Sequence, residues 1–592
     1  MSSAIETPYG GSFLISGAAR QSSTPENLPE DAAELAAAID KFTRAELPGF
    51  AAGLKAHERG LMPALLKKAA ELGLTAAGLP EAYGGLSLPF TYQALLAEKT
   101  ATNPPFSVSS GVAGCLAPLP IVLFGTEDQK QQWLPRMASG ELFGAFALTE
   151  EEAGTGALAC RCTATPLLDG TNLLNGSKQW ITNGAFAGLY VVFAQIPEAG
   201  LSAFLVDTTL PGVSHGKEEH KIGLKGSSTT RLAFENVSLP AAALLGKPGQ
   251  GAAIATAALN PARLIMAASA LGLAKEALAI SARYAAERHQ NGQPIASYGL
   301  IRQKLGRLTM KIYAAESALY RLAGELDTLW ATDPIAAAQE LAIECAIVKT
   351  VCSEVLGAAA DEAVQILGGY GCSEDYAAAG IFRDARVFRI FYGTNEINRL
   401  QMVRQLFKRA ASHRLPLHSE IEKEFGHGED GMAKALLLLE TLNNSEWDSE
   451  HPLSAADTSL ETSEYTRLAA LCAAAVVRSI STAELEERQE LAGVLADLLT
   501  NAYIMESVSL RISQSKGSEE LLSATARQLG YTSTMHSWQL LQSVFACRWH
   551  GPLEATHVRR WREVFAAPAD DVLPLEQKMG EITALRGGYP RI

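Results

Sequence analysis

The residues best suited to chemistry fall in five short stretches. In KQWITN, Trp180 offers a broad π surface on which a flat ring can stack, and Thr182 a hydroxyl for the ring's edge. In ALTEEEAGT, Thr149 adds a hydroxyl and a backbone N–H, and Gly154 lets main chain approach closely. QILGGYG at 365–371 has glycines that would admit a polyanion against the backbone. Arg288 in YAAERHQNGQPI can grip a phosphate in bidentate fashion. Asn260 and Arg263 in LNPARL stand one helical turn apart and can orient a ligand together. A buried Trp with a turn threonine, or an arginine on a solvated face, would satisfy the same pattern one stretch at a time. Tyr392 in RDARVFRIFYGTNEINRL is a weak base, since a phenol of pKa about 10 is ionised in roughly one molecule per thousand at pH 7.

Taken together and in this order, ALTEEEAGT, KQWITNG and RDARVFRIFYGTNEINRL resemble the acyl-CoA dehydrogenase family of flavoproteins, and in phrasing and length its very-long-chain branch. The resemblance implies FAD as cofactor and an acyl-CoA as substrate, with α,β-dehydrogenation of the thioester. By that resemblance Thr149, Gly154, Trp180, Thr182, Arg288, Gln365, Gly368, Gly369, Thr394 and Glu396 would hold the cofactor. Thr155, Asn260, Arg263, Phe391 and Gly393 would face the substrate. The family's usual base is a glutamate at the position of Tyr392; its alternative site falls here on Ala262, before Arg263. A carboxylate could instead enter from Glu98 or the Glu150–Glu152 run. Otherwise the phenol acts as a donor, or its ring fills a pocket that no longer turns over. A non-catalytic FAD and acyl-CoA binder, or a flavin oxidase or oxygenase, are the rival readings.

The pattern also departs from the family's at Glu151, at Thr155–Gly156, at Asn291 and along 376–380, which touches details of cofactor contact and subunit packing. The resemblance further implies a homodimer, electron-transfer flavoprotein as a candidate acceptor, and a peripheral membrane contact through the C-terminal domain.

Positioning such groups takes a large scaffold. With 592 residues the chain exceeds one core. Its 47% hydrophobic content and mixed charges describe a globular protein. A formal net charge of −14 excludes the phosphate neutralisation that nucleic-acid binding requires. The apolar run AAIATAALNPARLIMAASALGLA is broken by Asn260, Pro261 and Arg263, so it makes a poor membrane span. The first residues show no secretory pattern and include Glu6, which sits poorly in a transit peptide, so a cytoplasmic location is expected.

Of eight cysteines only Cys160 and Cys162 lie close together. On a strand they would share a face, but buried core thiols are the simpler reading, and no metal site is expected. The pattern predicts a mainly helical protein with a small central antiparallel β domain. A loose arm over 1–30 leads to a helical domain at 31–146. Next come β-rich runs at 147–255, such as LYVVFAQI and LSAFLVD, and a second helical domain at 256–410. An added helical domain at 411–592 follows the linker ASHRLPLHS, with one amphipathic helix over LAGVLADLLTNAYIMESVSLRISQ.

Overall fold

The computed structural model describes residues 10–16, 22–154, 156, 159–426, 455–478, 487–517, 519–548 and 572–590. The N-terminal part is helical: α1 (Glu30–Lys41), α2 (Ala51–Lys55), α3 (Leu61–Glu71), α4 (Phe90–Thr100), α5 (Pro104–Gly111), α6 (Leu119–Phe124) and α7 (Glu127–Ala138). Local signals set its boundaries. Asn103 caps α5 by accepting from the Phe106 N–H, with Pro104 at the first helical position. Thr126 and Gln129 form a reciprocal capping box at the start of α7. A π-helical turn, Val112–Leu116, continues α5.

Strands β1 (Gly144–Ala147), β2 (Thr163–Pro166), β3 (Asn172–Thr182), β4 (Leu189–Ile196), β5 (Gly200–Asp207), β6 (Val213–Glu218), β7 (Thr229–Leu239) and β8 (Leu244–Leu245) form one sheet. Its order is β6–β7–β3–β2–β4–β5–β8, with β1 alongside β4. The antiparallel expectation needs one correction. β1 runs parallel to β4, and β2 touches β4 in the parallel sense, because the chain enters the sheet centre directly from α7. β4 is buried on both faces, which is why LYVVFAQI is nearly continuously apolar.

The second helical part holds α8 (Gly251–Glu287), α9 (Gly299–Trp330), α10 (Pro334–Glu340), α11 (Ala342–Leu367), α12 (Ala377–Ala385), α13 (Asn395–Ala411) and α14 (Leu417–Phe425). α8 is apolar all round because it is surrounded: α11, α9 and α4 pack along it and the sheet meets its start. Beyond α14 lie α15 (Ala455–Arg478), α16 (Gln489–Gln514), α17 (Glu519–Arg548) and α18 (Val572–Leu585). They dock onto α9 and α13 through buried ions. Glu316 on α9 accepts from Lys275, from Arg511 at 2.7 Å and from the Tyr589 hydroxyl at 2.7 Å. By length and composition Pro104–Phe124, Gly251–Glu287 and Gln489–Gln514 could each cross a membrane, yet about seven-tenths of each apolar window is buried inside the protein.

The N-terminal arm is not loose where it is described. Phe13 and Leu14 are buried in the helical core, and Glu344 accepts the Gly11 N–H at 2.6 Å. Arg467 on α15 donates to the Leu14 carbonyl at 3.1 Å, so the arm bridges two helical parts. Apolar burial of two side chains outweighs the freedom that the glycines and prolines suggested.

Candidate functional site

The turn between α12 and α13 places Tyr392. Tyr392 and Gly393 both take left-handed backbone conformations, φ 56° and 85°, reversing the chain within two residues. A tyrosine in that region is strained, and such strain persists only where the surroundings impose it. Here two buried cations do so. Arg263 on α8 donates Nε to the Tyr392 carbonyl at 3.1 Å. Lys349 on α11 donates Nζ to the Gly393 carbonyl at 2.8 Å and to Asn395 Oδ1 at 2.7 Å. Asn398 closes the turn with bonds to the Gly393 and Thr394 carbonyls. A Cβ on Gly393 would come within 3.2 Å of Asn398 Nδ2. Thr394 then caps α13 by accepting the Ile397 N–H.

Neither cation has an ion-pair partner among the described residues. Burial brings Arg263 down to about 10 and Lys349 to about 7, the nearby Arg263 charge adding to the second shift. Arg263 therefore supplies most of the positive charge beneath the turn, with Lys349 about half protonated at pH 7, and that charge suits negative charge developing on a ligand. The Tyr392 side chain neighbours Cys115 on the π turn that follows α5: burial pushes its phenol above the ordinary range, and the Cys115 thiol pushes it further. Tyr392 and Cys115 both pack against the helical core and the sheet-side core, at the seam between them.

A second wall comes from the sheet. A β-bulge between Lys178 and Ile181 puts Trp180 at φ 60° and leaves the indole 56% exposed. Thr182 pairs with Thr229, and the Thr149 carbonyl accepts the Gln179 N–H at 2.9 Å, so the three lie on one edge. Asn183 Nδ2 donates to the Ser109 carbonyl at 3.0 Å and ties this edge to α5. Below it Lys178, fully buried, donates to Glu150 at 2.7 Å. Burial alone would raise the Glu150 carboxyl, but Lys178 and the Arg161 and Cys162 N–H groups hold it below its ordinary value.

The third feature is a cavity of about 700 Å³ at the end of α11. It is lined by Tyr284, Arg288, Gly368, Gly369, Tyr370 and Tyr376 among others. Arg288 lies over the Tyr370 ring at 5.8 Å. Gly368 holds φ 61° and ψ −134°, a conformation open essentially to glycine alone, and neither it nor Gly369 has an atom within 4 Å of a built Cβ. Exposed backbone, a cation and aromatic faces are what a phosphate-bearing aromatic ligand needs.

Residues 29–141, 145–237 and 249–407 match in turn the N-terminal, middle and C-terminal domains of acyl-CoA dehydrogenase. A Bacillus subtilis (strain 168) protein named "Probable acyl-CoA dehydrogenase" is 37% identical over 524 residues, spanning 86% of this chain and 85% of the relative. The chain belongs to the acyl-CoA dehydrogenase family. A crystal structure of an acyl-CoA dehydrogenase complexed with FAD from Bacillus anthracis is similar to it throughout, with TM-score 0.90, 33% identity, and coverage of 99% of this chain and 100% of that one. The very long-chain specific mitochondrial enzyme of Mus musculus is 37% identical over 341 residues, 56% of this chain and 51% of its own.

Against this family frame, the residues singled out from sequence separate into groups. Phe391, Tyr392, Gly393, Thr394 and Arg263 converge on one turn, and Arg288, Gly368 and Gly369 on one cavity. Gln365 is exposed on α11 but does not line that cavity, and Glu396 is exposed in the first turn of α13. Thr155 lies outside the described residues; Gly154 is exposed. Asn260 does not face a ligand, since its amide donates to the Ala338 carbonyl at 2.7 Å and its oxygen accepts from Arg263 at 2.8 Å.

Of the candidate substitute bases, Glu98 accepts from Lys275 and the Tyr320 hydroxyl, Glu150 is bound by Lys178, Glu152 pairs with Arg161, and Glu151 is exposed. Cys160 and Cys162 do not share a face: they enter different cores, because the chain there precedes β2 and is not yet a strand. Sequence reasoning missed Lys349, whose one signal was a lone lysine in the apolar run AIVKTVC, and missed Cys115.

Proposed function

We propose that this chain is an FAD-binding acyl-CoA protein whose ordinary α,β-dehydrogenation is crippled by the group at position 392. The Trp180 indole, the Thr149 and Thr182 edge, and the Arg288–Gly369 cavity have the shapes and charges of a site for an isoalloxazine and a pyrophosphate. FAD, when bound, supplies the acceptor for the substrate's β-hydrogen. What the chain itself must supply is polarisation of the thioester and a base for the α-proton. Arg263 supports the first by placing a buried positive charge under the turn, joined by Lys349 when that amine is protonated. For the second, the chain offers a phenol that burial and Cys115 keep protonated.

The observation that carries this reading is the joint state of three groups: Tyr392 protonated, Glu98 and Glu150 bound elsewhere. A proton-bearing hydroxyl donates a hydrogen bond to a ligand and takes no proton from it. Exposed Phe382, Ile390 and Tyr376 lie close in sequence to the turn and the Arg288 cavity, and a second copy of the chain would cover them, in line with a homodimer.

The test is anaerobic mixing of purified holo-protein with a panel of acyl-CoAs while visible flavin absorbance is followed. Binding should perturb the spectrum, with bleaching about 10²–10⁴ slower than a typical enzymic rate on the order of 10 per second. Wild-type bleaching at that full rate would overturn the missing-base reading. A colourless protein that takes up no added FAD would overturn the flavin reading.

A further inference from the structure

α13 begins at the Tyr392 turn, and a chain of hydrogen bonds runs from that turn into the added helical domain. Asn395, the first residue of α13, is buried. Its Oδ1 accepts from Lys349, the same amine that holds the Gly393 carbonyl. Its Nδ2 donates to Glu354 Oε1 on α11 at 3.0 Å and to Ser353 Oγ at 3.1 Å. Arg399, one turn further along α13, donates to both Glu354 oxygens, at 2.9 and 3.2 Å. Its Nε donates in turn to Asp497 Oδ1 at 2.6 Å. Asp497 stands on α16, beyond residue 407, where the match to the family's C-terminal domain ends. Thr500, three residues on, meets the Met402 sulfur at 3.9 Å, so α16 grips α13 at two successive turns.

Each link fixes the orientation of the next. An amide side chain can face either way, and a protonated Lys349 offers only donors. Asn395 must therefore turn its oxygen to Lys349 and its NH2 to an acceptor. Glu354, a carboxylate with acceptors only, holds that arrangement. A half-buried carboxylate paired with one arginine is free to swing. Here the flat Arg399 fork is held on two edges, by Glu354 and by Asp497, which sets the plane of the guanidinium. Asp497 thus ties down α13 one turn past the strained Tyr392–Gly393 backbone, whose left-handed shape persists only while its surroundings impose it.

We infer that Asp497 is a positioning residue: through Arg399, Glu354, Asn395 and Lys349 the added helical domain keeps the Tyr392 turn aimed at the substrate. The catalytic half of this inference rests on the reading that position 392 faces the α-carbon; the rigidity of the turn does not.

Two measurements on the full-length holo-protein separate those halves. The first is hydrogen–deuterium exchange, read by mass spectrometry over residues 387–398. Asp497→Ala should speed exchange there about tenfold, the effect of one lost hydrogen bond. Glu490→Ala, an exposed change on the same helix, should not. The second is anaerobic bleaching of the flavin by butyryl-CoA in the Tyr392→Glu background. Adding Asp497→Ala should slow bleaching about ten- to a hundredfold, the cost of misplacing a reacting group by about 1 Å, and leave butyryl-CoA affinity unchanged. Asp497→Asn, which keeps the acceptor for Arg399, should restore both readouts. Arg399→Lys keeps the charge but cannot bridge two carboxylates, so it should reproduce the Asp497→Ala effects and serves if that variant does not fold. Exchange that rises only beside Asp497, with the turn and the bleaching rate unchanged, would overturn the inference. A Tyr392→Glu protein that binds butyryl-CoA and never bleaches would remove the catalytic reading alone, and exchange would still decide the hold on the turn.

Discussion

Replacing Tyr392 with glutamate is the sharpest perturbation available, because it changes the base and little else. The backbone at 392 is left-handed for either residue, so Glu inherits the φ of 56° at similar cost. At pH 7 a phenol with pKa about 10 is ionised in roughly one molecule per thousand, and burial beside Cys115 lowers that fraction further. A carboxyl starts from about 4.3, and the same burial raises it as it raises the phenol, but the Arg263 charge beneath the turn favours its ionised form, so it still titrates far below the phenol. The population of competent base thus rises at least about a thousandfold, offset in part by the carboxylate's weaker basicity. The expected gain is about 10²–10⁴ in rate, or roughly 3–5 kcal/mol off the barrier. Smaller volume beside Cys115 also admits substrate. The assay is anaerobic stopped-flow bleaching of the flavin by short acyl-CoAs, wild type against Tyr392→Glu. A variant that binds acyl-CoA with its flavin still oxidised would refute the reasoning, since the turn would then not aim position 392 at the α-carbon.

Three further outcomes follow from the geometry. Arg288→Ala should weaken FAD retention on gel filtration, because it removes the cation from the cavity at the end of α11; unchanged retention would take Arg288 out of the site. Lys178→Met leaves Glu150 buried without its cation, which should cost about 3–5 kcal/mol in urea unfolding and exceed the effect of any surface lysine change. Lys349 has a folded pKa of about 7, below its ordinary 10.5, so the unfolded chain binds the extra proton between those values and stability rises with pH from about 7 to about 10. Wild type should gain up to about 1.4 kcal/mol per pH unit over Lys349→Met in that window, with the difference constant below it; parallel urea midpoints for the two proteins would contradict the assignment.

Sequence by itself determined the element types and the family. The apolar run of β4 and the Ala- and Leu-rich length of α8 are local, and local patterns survive without knowledge of neighbours. It also marked Tyr392 as the odd residue, because the resemblance puts a glutamate at that position and a phenol is a far weaker acid. Tertiary structure decided what each candidate faces. Glu98 and Leu96 share a helix, yet Glu98 meets Lys275 and Tyr320 while Leu96 lines a small cavity between α4, α5 and α8, a matter of rotation about α4 that no spacing reveals. Gly11, in the arm expected to be loose, meets Glu344 333 residues away only through packing. Lys349 had no motif at all. Its role exists only because α8, α11 and the 392 turn meet, where burial removes water from two cations and leaves backbone carbonyls and asparagine oxygens as their partners.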